Sequence, residues 1–377
     1  MNILVFTHYS SLYGANRSLI GFIKGTINTN IQFMVVAPKA GELDKELERL
    51  NVIIVHQKLF RLYYDDFLGL IKCLPKLLLQ RFVNLQIKRK TKKFRPDLIY
   101  SNSSVITNGY TLAMKLGIPH LWHIREFRIE DYNLRYFFGE KNLLKKIAKS
   151  DQVITISNSI KESIVKGVQS SKIEVIHNGV IFLHEIRNQN RHYPKNRGIV
   201  FGILGVIRES KGQLEAIRAI KTLVDCFHTQ IYLHIYGDFV ESKYRRKVLN
   251  YIKTNSLVDN ILIKGFNKNI DEIYNNIDVL LVCSKMEGFG RVVVEAMSKG
   301  MPVIGKNSGG IPEIIVNGES GLLYDDVSDL FEQMKKLLND EELYLKLGQT
   351  GLETAKRKFT IDVYSTAILN TINRILR

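Results

Sequence analysis

The sequence predicts an α/β protein of two Rossmann-like domains, each a parallel sheet with helices on both faces. Three observations carry that prediction. Short apolar runs alternate with helix-patterned segments along most of the chain, the order from which parallel sheets are built. A polar stretch without periodicity, HEIRNQNRHYPKNRG (184–198), divides these runs into two sets. The chain has 377 residues, enough for two domains of ordinary size. The expected division is a first domain over 1–184, a linker over 185–198 and a second domain over 199–360.

In the first domain the strand-like runs are ILVFTH, QFMVVAP, LIYSNS, HLWHI, QVITIS and IEVIHNG. In the second they are FGILGV, IYLHIYG, ILIKGF, DVLLVCS and PVIGKN. Each is short, apolar and rich in β-branched residues, as a strand buried on both faces should be. The end of the chain, 361–377, reads as an amphipathic helix with Ile361, Tyr364, Ile368, Ile372 and Ile375 on one face. Pro75 should interrupt or begin a helix in the segment around it. A dehydrogenase would need G-x-G-x-x-G after its first strand. Here SSLYGANRSL follows, with Gly14 alone.

The net charge is +17, from 54 Lys and Arg against 37 Asp and Glu. Such a surplus calls for an anionic partner: nucleic acid, an anionic membrane or a phosphorylated ligand. Cys73, Cys226 and Cys283 form no metal spacing and no disulfide framework, which suits a reducing compartment. The start, MNILVFTHYS, reads as a first strand rather than a signal peptide. No uncharged apolar run is long enough to span a bilayer.

Two stretches carry candidate chemistry. In EGFGRVVVEAMSKGMPV (287–303) a glycine loop joins a strand to a helix expected over Arg291–Lys299. Ligands of open α/β sheets bind beyond the carboxyl ends of strands, and this loop lies at such an end. The helix start suits an anion. Glu287 before it and Glu295 within it are carboxylates that could each hold a vicinal diol. Two diols flanking a diphosphate describe a nucleotide sugar. Taken alone, the pair reads equally well as two surface glutamates. In GVIRESKGQLEAIRAI (205–220), Ser210 and Gln213 make a capping box, so a helix should start near Ser210. Arg208 and Lys211 then face that helix start, and an anion between them would offset their conflict with the dipole. The other reading leaves both side chains in solvent.

These residues resemble the retaining GT-B glycosyltransferases of glycosyltransferase family 4. EGFGRVVVE looks like that family's E-x7-E signature, and GGIPEIIVNGESGLL (309–323) like the segment after it. VITISNSI (153–160), VIHNGV (175–180) and LWHIREF (121–127) are similar to segments of its first domain. The resemblance implies two Rossmann-like domains whose parallel sheets face an interdomain cleft. It also implies that helix 361–377 packs back on the first domain. Glu287 would bind hydroxyls of the donor sugar. The backbone at Gly288, Phe289 and Gly290, with Arg291 at the helix start, would hold sugar and diphosphate. Glu295 would bind the ribose, and Arg208 and Lys211 the diphosphate. Gly14 would let backbone approach the donor, and Phe266 would lie near the base. His123 would touch the donor sugar's primary-hydroxyl region near the anomeric centre, with His120 as the alternative. Two positions depart from the pattern: Val206 stands where Arg is common, and Asn16 where Glu is common.

The family's chemistry implies retention of configuration with no protein nucleophile. The chain has no Asp-x-Asp pair, so no metal and no cofactor is expected, and the fixed cations would stabilise the leaving diphosphate. The expected partners are a nucleotide-sugar donor, with UDP favoured, and a glycan or lipid-linked acceptor. The expected setting is surface polysaccharide synthesis, lipopolysaccharide or capsule, in a bacterium. Between Asp66 and Asp97 there is no acidic residue, while Lys, Arg, Leu and Ile recur over 67–96. That stretch reads as an amphipathic surface for an anionic membrane, or as a solvated helix with a buried Leu face. The protein would then be cytoplasmic and peripheral on the inner face of the cell membrane. Nucleic acid is not expected, because no recognised motif or aromatic platform accompanies the charge. A GT-B sugar-nucleotide epimerase or a non-catalytic nucleotide-sugar binder is the alternative on the same fold, and a basic membrane- or nucleic-acid-binding protein is the further alternative.

Overall fold

A computed structural model describes the chain except residues 128, 130–134, 166, 188–190, 196 and 228–229. It divides into two compact units, Met1–Val180 with Thr360–Arg377, and Ile181–Phe359. In chain order the first unit contains β1 (Asn2–Phe6), α1 (Gly14–Gly25), β2 (Gln32–Ala37), α2 (Glu42–Arg49), β3 (Ile53–His56), β4 (Tyr63–Tyr64), α3 (Phe67–Thr91) and β5 (Leu98–Ser101). There follow α4 (Asn108–Leu116), β6 (His120–Ile124), β7 (Arg135–Tyr136), α5 (Glu140–Ala148), β8 (Gln152–Thr155), α6 (Asn158–Val165) and β9 (Ile173–Val175). The second unit contains β10 (Ile199–Leu204), α7 (Gln213–Cys226), β11 (Ile231–Tyr236), α8 (Ser242–Thr254), β12 (Ile261–Gly265), α9 (Ile270–Asn275) and β13 (Val279–Val282). It continues with α10 (Arg291–Met297), β14 (Val303–Lys306), β15 (Leu322–Tyr324), α11 (Val327–Asn339) and α12 (Glu341–Lys358). The last helix, α13 (Ile361–Leu376), belongs to the first unit.

Both main sheets are parallel. The first unit's order is β3-β2-β1-β5-β6-β8-β9 and the second's is β12-β11-β10-β13-β14-β15. Each therefore has a switch point where the order reverses, between β1 and β5 and between β10 and β13. The apolar runs are continuous because both faces of these strands are covered. In β1, Ile3 and Val5 enter one core cluster while Leu4 and Phe6 enter the other. Tyr364, Ile368 and Ile372 of α13 complete the first of these clusters. Gly25 of α1 faces Ser365 so closely that a Cβ there would overlap the serine side chain.

The structure adds elements the patterning does not reveal. The edge strand β3 is only partly buried, although Ile53, Ile54 and Val55 are apolar. The ends of the sheets differ likewise: β15 has three residues. A separate antiparallel pair joins β4 to β7. Pro75 lies inside α3 and does not break it. Pro75 is exposed, so the carbonyl it leaves without a helical partner is open to water. The segment expected as a linker is anchored instead. The Arg191 guanidinium donates to the carbonyls of Tyr274, Ile277 and Lys299, the second at 2.8 Å, and Tyr193 packs edge-on against Tyr344. Both belong to the second unit's body.

Candidate active site

The second unit's switch point brings the loop after β10 against the loop after β13. Two backbone features join them. Lys285 N–H donates to the Ser210 carbonyl at 2.9 Å. Gly212 has φ +70°, and a Cβ there would overlap the Cys283 carbonyl oxygen. The left-handed turn at Gly212 corrects one expectation. Residues Glu209–Lys211 form a single 3-10 turn, and α7 begins at Gln213 rather than near Ser210. No capping box forms, because the Gln213 amide turns back to the Val206 carbonyl at 3.0 Å. Lys211 thus precedes the helix and does not oppose its dipole from the first turn.

Lys211 points across the junction instead. Its Nζ lies 2.6 Å from Glu287 Oε2, with the two side chains 31 % and 24 % exposed. The amine expected at a diphosphate and the carboxylate expected at a sugar are partners of one another. Arg208 Nε lies 3.7 Å from Glu241 Oε1, so the two cations have different carboxylates. Glu287 is fixed through its backbone. Gly310 N–H donates to the Glu287 carbonyl at 2.7 Å. A Cβ on Gly309 would stand 2.5 Å from that same oxygen, and one on Gly310 would stand 2.6 Å from the Gly288 carbonyl oxygen. The adjacent glycines of GGIPE are the signal for this close approach.

Phe289 is buried, with its ring edge-on to Phe359. Its side chain anchors the loop, and only its backbone faces the junction with Gly288 and Gly290. The helix α10 runs Arg291–Met297, ending before the expected Lys299. With seven residues its dipole is small, so the side chains carry more of the electrostatics than expected. Arg291 Nε lies 4.0 Å from Glu295 Oε1. The Tyr274 hydroxyl lies 3.2 Å from Glu295 Oε2 and holds that carboxylate in place. Phe266 is 66 % exposed, and its N–H donates to Asp238 Oδ1 at 3.3 Å.

In the first unit, Gly14 opens α1 beside the carboxyl end of β1. Asn16 is buried and fixes that loop. Its Oδ1 accepts from the Thr7 hydroxyl at 2.6 Å, and its Nδ2 donates to the Tyr9 and Ser11 carbonyls. A glutamate there could not donate, which gives the departure at this position a structural reason. The two histidines of β6 differ. His120 uses both ring nitrogens, on the Ser150 and Ser101 hydroxyls at 2.9 Å each. Burial pushes its pKa down to about 3. His123 is fully buried, and its Nδ1 meets the Tyr100 hydroxyl at 2.5 Å and Arg125 Nη2 at 3.3 Å. A guanidinium can only donate, so Nδ1 accepts and the neutral ring carries its proton on Nε2. That Nε2 has no partner among the described residues. Burial, then the Arg125 charge, hold the His123 pKa well below its ordinary value.

Arg125 is a residue the sequence reading passed over. Its donors reach Asn102 Oδ1 at 2.8 Å, Asn178 Oδ1 at 2.6 Å and the Tyr364 hydroxyl at 2.7 Å. It is buried, and the acceptors around it are neutral. Glu126 follows it at the carboxyl end of β6. One of its oxygens, Oε1, accepts from Ser104 N–H and from the Ser103 and Ser104 hydroxyls, at 2.6–3.1 Å. Sequence offered one clue to both: a charged pair directly after an apolar strand, in WHIREF.

Residues 184–354 match the family described as glycosyl transferases group 1, and residues 13–181 match glycosyltransferase family 4. An uncharacterized glycosyltransferase of Methanocaldococcus jannaschii, MJ1178, is 32 % identical over 274 residues, covering 69 % of this chain and 71 % of that one. The capsular polysaccharide biosynthesis glycosyltransferase CapM of Staphylococcus aureus is 29 % identical over 273 residues, covering 68 % and 70 %. Among solved structures, Anabaena Alr3699/HepE in complex with UDP matches with a TM-score of 0.81 at 19 % identity, over 99 % of this chain and 100 % of that one. With its two parallel Rossmann-like units, the chain belongs to the group 1 glycosyltransferases of family 4 type and has the GT-B fold.

Proposed function

We propose that the protein transfers a hexose-type sugar from a UDP-sugar to a glycan or lipid-linked acceptor, with retention of configuration, in surface polysaccharide assembly. The observation that carries this reading is the Lys211–Glu287 pair at the second unit's switch point, 2.6 Å apart. A donor entering there would separate the pair. The amine would go to the diphosphate and the carboxylate to sugar hydroxyls. Glu295, held by Tyr274, would take the ribose diol. HepE supports the donor class, since it has been solved with UDP and with UDP-glucose. CapM supports the setting, since its name places it in capsular polysaccharide biosynthesis.

The hard step is departure of the diphosphate from the anomeric carbon. Negative charge grows on the leaving oxygens, and fixed donors aimed at them lower the barrier. Lys211 and Arg208 supply those cationic donors from the chain itself. The acceptor hydroxyl would lose its proton to the departing phosphate. In the first unit, His123 offers an Nε2–H donor that stays neutral, and Glu126 a rigid carboxylate for acceptor hydroxyls.

The test is a thermal-shift panel with UDP, GDP, ADP and dTDP on wild type and Glu295→Ala. Stabilisation by UDP in wild type, lost in the variant, is the expected result. Stabilisation by another nucleotide would move the donor class. No shift with any of them would remove the donor site. Epimer formation from a UDP-sugar, without transfer to any acceptor, would replace transfer with epimerisation.

A further inference from the structure

The helix α3 carries apolar residues on two opposite faces. One face is packed: Cys73, Gln80, Val83 and Ile87 are buried in the first unit. The other is open. Phe67, Ile71, Leu74, Leu78, Phe82 and Leu85 recur every three or four residues, and each is between 46 % and 80 % exposed. At 3.6 residues per turn these six form one stripe, roughly opposite the buried one. Exposed cations stand on both margins between the stripes, Arg81 and Lys88 on one side and Lys72 on the other. No acidic residue occurs between Asp66 and Asp97.

We propose that this open face of α3 lies flat on an anionic lipid bilayer, with the six apolar side chains in the interface and the flanking cations at the headgroups. The geometry is that of an interfacial helix. It is not that of a spanning one, since no described helix is long and apolar enough to cross a membrane. Charge decides between this occupant and a second copy of the chain. Two α3 helices face to face would set cations against cations at both rims, with no carboxylate in the segment to pair them. The next position of a paired seam, three residues after Leu78, is Arg81. A bilayer rich in phosphates meets both demands. The inference rests on α3 alone and stands apart from the donor reading.

The experiment is co-sedimentation of the full chain with sucrose-loaded vesicles, either phosphatidylcholine alone or phosphatidylcholine with 30 % phosphatidylglycerol. Expected is partition onto the anionic vesicles, weakened by salt. Lys72→Gln with Arg81→Gln should lower it by about fivefold per charge, and Leu78→Ser with Phe82→Ser by at least tenfold. These side chains are exposed, so thermal stability and the nucleotide thermal shift should be unchanged in every variant. Absence of binding to anionic vesicles, or binding that none of these substitutions weakens, would overturn the proposal. So would a dimer in sedimentation velocity that Leu78→Ser with Phe82→Ser abolishes while vesicles are ignored, or RNA binding without vesicle binding.

Discussion

Replacing Lys211 with Ala should separate activity from stability. In the resting protein Lys211 is engaged with Glu287 at 2.6 Å, and both side chains are partly exposed. An ion pair in that setting contributes about 0–1 kcal/mol to folding. For a protein of this size that is a change in Tm of no more than about 2–4 °C. The catalytic term is larger. An amine about 3 Å from a diphosphate oxygen, at an effective dielectric of about 20, gains about 5–6 kcal/mol per unit charge. Lys211 keeps 31 % of its side chain exposed, and solvent screening brings the gain to about 3–4 kcal/mol. The expected loss is therefore about 10²–10³-fold in kcat. The assay is release of nucleotide diphosphate from the UDP-sugar that the binding panel selects, alongside a melting curve. Turnover within about threefold of wild type in the folded variant would refute the role. A fall in Tm of more than about 5 °C would show that the pair is chiefly structural.

Three other outcomes follow from the same geometry. Arg125→Gln should destabilise the first unit by about 2–4 kcal/mol in urea denaturation, because it strands buried acceptors on Asn102, Asn178 and Tyr364; a loss below about 1 kcal/mol would contradict that network. Gly309→Ala should abolish transfer and lower Tm, since φ is +60° and the new methyl meets the Glu287 carbonyl. Gly318→Ala, also at positive φ (+79°) but with nothing within 4 Å, should cost only about 1 kcal/mol, and equal losses at the two sites would remove the packing argument. Stability should fall with acid, because the unfolded chain protonates His120 near pH 6.5 while burial holds it neutral in the fold down to about 3. The contribution is full above about pH 6.5 and is lost at about 1.4 kcal/mol per pH unit below it. A Tm that stays flat from pH 7 to 5 would show that His120 is not buried in neutral form.

The parallel architecture was readable in the chain because strands covered on both faces must be apolar throughout, and their runs stand out against helical spacing. β3 is half exposed at an edge although its run, IIVH, is apolar, and β4 and β7 have two residues each, too few to show a period even though Tyr63 and Tyr136 are buried. The candidate residues of the second unit were legible too, through glycines that interrupt a pattern and carboxylates at a strand's end. Pro75 misled, because a local rule for proline does not register that its orphaned carbonyl can face water.

Taken by itself, the sequence determined the fold class and the residues that carry charge at the strand ends, since period and turn chemistry are local properties of the backbone. Only the tertiary structure decided who meets whom. Lys211 and Glu287 are 76 positions apart and touch because β10 pairs with β13. Arg125 finds its acceptors at 102, 178 and 364 because a sheet and the chain's last helix close around it. His120 and His123 share a strand and have the same composition. They differ only because one faces two hydroxyls and the other faces a buried guanidinium, and that is a matter of which strands and helices lie alongside.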